Sequence, residues 1–123
     1  GDKGEVHLIE SDERAVKDAS KIFHKYSNVT LYLGRVEKIL PLVETVDAIL
    51  LDPPRSGAGE LVVMQMIEKK PRVIVYVSCD PASLARDSKL LNDKGYKLDD
   101  IVGIDLFPMT HHVECVAKFS LIK

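Results

Sequence analysis

The sequence predicts an α/β fold in which a mostly parallel, doubly wound sheet closes in an antiparallel hairpin. Three observations predict it. Short apolar runs alternate with segments of helical periodicity along most of the chain. Two of the runs, Val46–Leu51 (VDAILL) and Val73–Val77 (VIVYV), are nearly continuously apolar, as expected of strands buried on both faces of a parallel sheet. The last two runs, Lys97–Phe107 and Val113–Ile122, are joined by Pro108, Met109, Thr110, His111 and His112, which leaves no room for a crossover helix, so antiparallel pairing is expected.

Taken in order, Val6–Glu10 reads as a strand feeding a helix, with Ser11 as the expected cap and Asp12 and Glu13 at the helix's positive end. Ala15, Ala19, Ile22, Phe23 and Tyr26 make one apolar stripe, while Arg14, Lys17, Asp18, Lys21 and Lys25 can face water. The stripe needs a sheet to cover. Val29–Leu33 is the second strand, residues 36–43 a short helix, and Val46–Leu51 the third strand. Asp52-Pro53-Pro54-Arg55-Ser56-Gly57 cannot be regular, because two prolines and a glycine interrupt it. A helix over about Glu60 to Lys69 leads to the strand Val73–Val77. Beyond Ser78-Cys79, Asp80 is the expected cap and Pro81 the first helical position, and Gly95 stands where that helix should stop. No internal repeat, linker or low-complexity segment is evident.

With 123 residues, 46% of them hydrophobic, the chain suits one globular domain, residues 1–123. Its 17 basic and 19 acidic side chains leave a formal charge of -2, unlike the basic footprint of a stand-alone nucleic-acid binder. No apolar stretch approaches the roughly 20 residues of a membrane span, and no signal-peptide pattern opens the sequence, so a cytoplasmic protein without membrane partners is expected. The two cysteines, Cys79 and Cys115, lack C-x-x-C spacing, which argues against a zinc or iron-sulfur site built from this chain.

Ligands of doubly wound sheets collect at the carboxyl ends of strands, and Glu10, Asp52, Cys79 and Glu114 fall at such ends or on the final hairpin. Glu10 suits the two ribose hydroxyls of a nucleoside cofactor, or it merely stabilises the helix start. Asp52 precedes two rigid prolines that restrict its backbone, which suits a pocket as well as a turn. Arg55 is an anchor for that loop, a phosphate contact or a solvated charge. Cys79, beside a helix amino terminus, stands where a thiol gains thiolate character, although most free cysteines are small buried hydrophobes. Cys115 shares one face of a strand with Val113, Ala117, Phe119 and Leu121 and reads as a small hydrophobe, leaving Glu114 on the other face, where an acid is costly unless it is used or that face is solvated. His111 and His112 are adjacent and so rarely point the same way, which favours loop structure or substrate contact over metal binding.

Three strings carry more than their composition: Leu51–Gly57 (LDPPRSG), Tyr76–Asp87 (YVSCDPASLARD) and Asp105–Glu114 (DLFPMTHHVE). In sequence, order and separation they resemble the RNA 5-methyluridine methyltransferase family, whose members act on transfer or ribosomal RNA. The likeness runs from about Val6 to the carboxyl end. It implies a Rossmann-like sheet that binds S-adenosylmethionine, with Cys79 as nucleophile and Glu114 as general base. Glu10 matches the ribose-binding acid, and Asp52 a residue near both cofactor and uracil. Arg55, Thr110 and His112 match the substrate side. Some members also hold an iron-sulfur cluster through cysteines that this chain does not contain.

The resemblance implies departures as well. The family's first strand and glycine-rich turn, expected before Val6 and central in the sheet, are not found here. Weak cofactor binding and self-association through an incomplete sheet are therefore expected. The position after Gly34, often acidic in the family for contact with adenine, is Arg35. Two rival readings remain: an inert truncated domain, and a methyltransferase acting on amino nitrogen, which accounts for Asp52-Pro53-Pro54 but has no use for Cys79 and Glu114.

Overall fold

The computed structural model of the chain describes residues 4–104 and 114–122. They divide into two compact units, residues 1–44 and 45–123.

In the first unit, β1 (Val6–Glu10) pairs in parallel with β2 (Val29–Leu33), from Val6 opposite Val29 to Glu10 opposite Leu33. Between them runs α1 (Glu13–Phe23), and α2 (Val36–Ile39) follows β2 and tightens into a 3-10 turn at Leu40–Leu42. The helix cap differs from the one expected. Asp12, in extended backbone, caps α1 by accepting the Arg14 amide at 3.1 Å. Glu10 Oε1 accepts the Asp12 amide at 3.0 Å, which spends Ser11 on the bend between strand and helix. The apolar stripe is present but only partly covered: Ala15, Ala19 and Phe23 are half-buried, while Ile22 stays 61% exposed. A two-stranded ribbon is too narrow to cover a whole helix face, and the buried apolar residues of this unit reduce to Leu40 and Val43.

The second unit holds β3 (Ala48–Leu51), α3 (Glu60–Glu68), β4 (Val73–Ser78), α4 (Pro81–Asp93), β5 (Tyr96–Ile104) and β6 (Glu114–Leu121). Its strands lie in the order β3-β4-β6-β5, with β3 and β4 parallel and β6 antiparallel to both β4 and β5. The expected α/β class and terminal antiparallel pairing are both found. Residues alternate along β4, so Ile74, Tyr76 and Ser78 are buried while Val73, Val75 and Val77 are half-buried. The register puts Phe119 beside Ile74 and Ala117 beside Tyr76. With Val63 and Met66 of α3 and Leu84 and Leu91 of α4, these residues form the core. Tyr96 is wholly buried and donates from its hydroxyl to the Pro71 carbonyl at 2.7 Å. Gly95, at φ 99°, supplies the left-handed turn that ends α4.

The third strand departs from expectation. β3 pairs only with β4 among the described residues, and Leu50 is 73% exposed, so this apolar run is not buried on both faces. Its composition suits the interior of a parallel sheet, yet it stands at an edge. No described helix is long and apolar enough to cross a membrane.

Candidate functional site

The ladder between β4 and β6 ends with Ser78 opposite Cys115. Cys79 directly follows Ser78, and Glu114, the first residue of β6, directly precedes Cys115, so the two residues flank the last pair of the ladder. Neighbouring strands, which lie roughly 5 Å apart, thus carry a thiol and a carboxylate to the same end of the ladder. Cys79 is half-buried and unpaired, and Glu114 is half-buried.

The chain bends at Cys79, and its neighbours hold the bend. Ser78 Oγ donates to the Asp80 carbonyl at 2.9 Å and accepts the Asp80 amide at 3.1 Å. Asp80 takes the cap position and Pro81 the first turn of α4, as expected. The Asp80 carboxylate, however, makes no cap bond to the helix backbone and lies 2.8 Å from Ser83 Oγ instead. The thiol therefore stands two residues ahead of the α4 amino terminus, in a backbone pinned on both sides.

Asp52 follows β3 directly and is exposed. Because β3 and β4 are parallel, with Leu51 opposite Tyr76, Asp52 and Cys79 leave the sheet at the same end. Arg55 is exposed, and its carbonyl accepts from Ser83 Oγ at 2.7 Å. Cys79, Glu114 and Asp52 are thus gathered at one end of the four-stranded sheet. Glu10, exposed at the carboxyl end of β1, belongs to the other unit; its carbonyl accepts the Gly34 amide at 2.9 Å. Arg35 stands at the cap position just ahead of α2 and pairs with Glu37 at 3.7 Å. Thr110, His111 and His112 lie outside the described residues. Among the described residues, no cluster of His, Cys, Asp or Glu could hold a metal ion.

One group escaped the reading of the sequence. Asp87, 1% exposed, accepts the Tyr76 hydroxyl at 2.6 Å and the Ala58 amide at 2.9 Å on the same oxygen, Oδ2. Burial first, and then the bond to Asp87, pushes the Tyr76 phenol well above its ordinary range. The signal was in the sequence: Asp87 lies three residues after Leu84 and four before Leu91, an acid inside the apolar stripe of α4. Beside this group an open hollow of about 700 Å³ runs between Ser56–Glu60 and α4, but none of the expected site residues lines it.

The sheet and its strand-end acids define the class, a Rossmann-like methyltransferase fold. NSun6 from Pyrococcus horikoshii shares that fold, with a TM-score of 0.76 at 20% identity over 99% of this chain and 42% of that one. The tRNA (uracil-5-)-methyltransferase family profile matches residues 19–120, and the chain belongs to that family. It is 51% identical over 119 residues to an uncharacterized RNA methyltransferase of Streptomyces avermitilis, covering 95% of this chain and 28% of that protein. It is 50% identical over 101 residues to the 23S rRNA (uracil(1939)-C(5))-methyltransferase RlmD of Shewanella sp. strain ANA-3, covering 79% of this chain and 22% of the relative. The tRNA (uracil-54, C5)-methyltransferase of Pyrococcus abyssi, solved with S-adenosyl-L-homocysteine, superposes with a TM-score of 0.78 at 36% identity, over 94% of this chain and 28% of that one. The chain thus spans less than a third of the length of these family relatives.

Proposed function

We propose that this chain is the catalytic part of an S-adenosylmethionine-dependent methyltransferase that modifies carbon 5 of a uridine in transfer or ribosomal RNA. The observation that supports the reading most is the β4–β6 ladder, whose last pair, Ser78 opposite Cys115, brings Cys79 and Glu114 to the same end of the sheet. A nucleophile and a base on neighbouring strands suit a two-step reaction on one ring.

Carbon 5 of uracil is too electron-poor to take a methyl group directly. Addition of the Cys79 thiolate to carbon 6 forms a carbon-sulfur bond and moves the ring's electron pair onto carbon 5 as an enolate. S-adenosylmethionine, when bound, supplies the electrophilic methyl group that this carbon takes. Glu114 then removes the carbon 5 proton, the double bond re-forms, and the thiolate leaves. A positioned base typically contributes about a hundred- to ten-thousand-fold in rate. Since a stacked base hides this ring face, the uridine is unstacked or flipped out to react. Asp52, Arg55, Thr110 and His112 are assigned to the uracil side, and Asp52 also to the cofactor.

The residues present fit the cofactor's ribose. Glu10 is exposed, and a carboxylate that accepts one amide retains lone pairs for a pair of hydroxyls. An amino-nitrogen methyltransferase would use Asp52-Pro53-Pro54 but leave Cys79 and Glu114 idle.

The test uses RNA containing 5-fluorouridine with the full-length enzyme. Fluorine at carbon 5 cannot leave as a proton, so a stable protein-RNA adduct at Cys79 is expected, and Cys79→Ala should abolish it. Glu114→Gln should still form an adduct, now with ordinary uridine RNA, and stall there. Full activity of both variants on uridine RNA would overturn the mechanism. The exposed edge of β3, with Leu50 bare, supports a companion reading in which the 123-residue chain alone self-associates. A sedimentation coefficient that rises with concentration is the result expected.

A further inference from the structure

The loop that follows Asp52 is held by α4 through backbone groups from Arg55 on. Ser83 Oγ donates to the Arg55 carbonyl at 2.7 Å, Arg86 Nη2 donates to the Ser56 carbonyl at 2.7 Å, and the Ala58 amide donates to Asp87 Oδ2 at 2.9 Å. Little more than one turn of the helix, from Ser83 to Asp87, thus grips residues 55, 56 and 58. The grip is close: a Cβ on Gly57, which sits at φ 86°, would stand 2.6 Å from Arg86 Nη2 and 2.8 Å from Asp87 Oδ2. Tyr76 adds the second tie, since its hydroxyl donates to the same Asp87 oxygen at 2.6 Å and lies 3.2 Å from the Ala58 nitrogen. Tyr76 is three residues before Cys79 on β4, and α4 begins two residues after it. The buried carboxylate therefore joins the loop to both backbone elements that flank the thiol.

We propose that Asp87 is a positioning residue of the uracil site, acting through Tyr76 and the Ala58 amide to fix the spacing between the Asp52–Arg55 segment and Cys79. The proposal rests on the assignment of Cys79 as nucleophile. Asp87 touches no reacting atom. A buried carboxylate that accepts two strong hydrogen bonds holds its partners more tightly than a neutral acceptor would. Displacing a reacting group by about 1 Å can cost on the order of a hundredfold in rate. Tyr76 and Arg86 are the subordinate members, each holding one side of the same loop.

The experiment compares Asp87→Asn, Tyr76→Phe and Arg86→Ala with Leu91→Ala in the full-length enzyme, with active sites titrated by 5-fluorouridine RNA so that rates refer to competent Cys79. Leu91 is buried on the same helix one turn beyond Asp87, so its truncation weakens packing without touching the loop. Asp87→Asn is expected to lose at least about tenfold in kcat per titrated site, with Tyr76→Phe losing less. Leu91→Ala should lower the melting temperature but keep its rate per site. Arg86 is more than half exposed, so Arg86→Ala remains informative if Asp87→Asn fails to fold; a rate loss per site supports the proposal there too. Equal rates per site in all four variants, or the same loss in Leu91→Ala, would overturn it. Cys79→Ala run in parallel separates the two ideas. If it is inactive while Asp87→Asn is fully active, only the positioning role falls; if it is active, the nucleophile assignment falls and the proposal with it.

Discussion

The two units of this chain are written in the same strand-helix alternation but hold together differently. In residues 45–123, a four-stranded sheet lies under two helices, and Ile74, Tyr76, Leu91, Tyr96 and Phe119 are essentially removed from water. In residues 1–44, a two-stranded ribbon carries a helix with no fully buried residue, and Ile22 and Tyr26 remain largely in solvent. The amphipathic pattern of α1 is no weaker than that of α4. The difference lies in the width of the sheet beneath it, because an apolar stripe is stabilising only where a partner surface removes it from water.

The comparison breaks most sharply in the core. Phe119→Ala should destabilise the second unit by about 3–5 kcal/mol, since the cavity lies between β4, β6 and the helices, and denaturant unfolding would measure it. Ile22→Ala in the first unit should cost well under about 1 kcal/mol in the same assay, because most of that side chain is already exposed. An Ile22 loss approaching that of Phe119 would mean that the stripe of α1 is covered after all. Between these extremes, Gly57→Ala should cost roughly 1–3 kcal/mol, as alanine meets both an unfavourable backbone conformation and the Asp87–Arg86 contacts.

Hydrogen exchange sharpens the contrast without mutation. Amides of β4 and β6 should exchange near the rate set by global unfolding, whereas those of β1 and β2 should exchange much faster through local opening. The smallest effect concerns the exposed pair Asp47 and Arg72, which meet through two 2.7 Å contacts just ahead of β3 and β4. Hydrogen bonding from Arg72 holds the Asp47 carboxyl below its ordinary value. A depressed carboxyl contributes stability at pH above its unfolded value and loses it as pH falls through the folded one. The Asp47 midpoint, followed by NMR, should rise towards that of a free carboxyl in Arg72→Ala, with little change in stability at neutral pH.

Much of this was legible in the sequence. β1 and β2 fall where alternating and apolar runs predict them, and Asp80-Pro81 and Gly95 bracket α4 as their backbone chemistry requires. The choice of Asp12 over Ser11 as cap was not legible, because both types can cap and the decision came from Glu10 accepting the Asp12 amide. The exposure of β3 was hidden for a related reason. An apolar run shows what a strand is suited to, while the presence of a neighbour on each side is a property of the whole sheet. At the site, Cys79, Glu114 and Asp52 could be picked out by type and by family likeness, but their alignment depends on strand register, which pairs residues far apart in sequence. Asp87 was overlooked because its role appears only when the loop after Pro54 folds back onto α4.

The register between β4 and β6 also bears on what kinds of change the protein can tolerate. Because strand pairing has a period of two, slipping β6 by one residue would turn Ala117 and Phe119 out of the core and displace Cys115 from its place opposite Ser78 at the end of the ladder. Such a slip would therefore be opposed by the hydrophobic core, independently of any selection on chemistry. Mutations that shift this frame should appear first as folding failures, whatever they do to the residues at the strand ends.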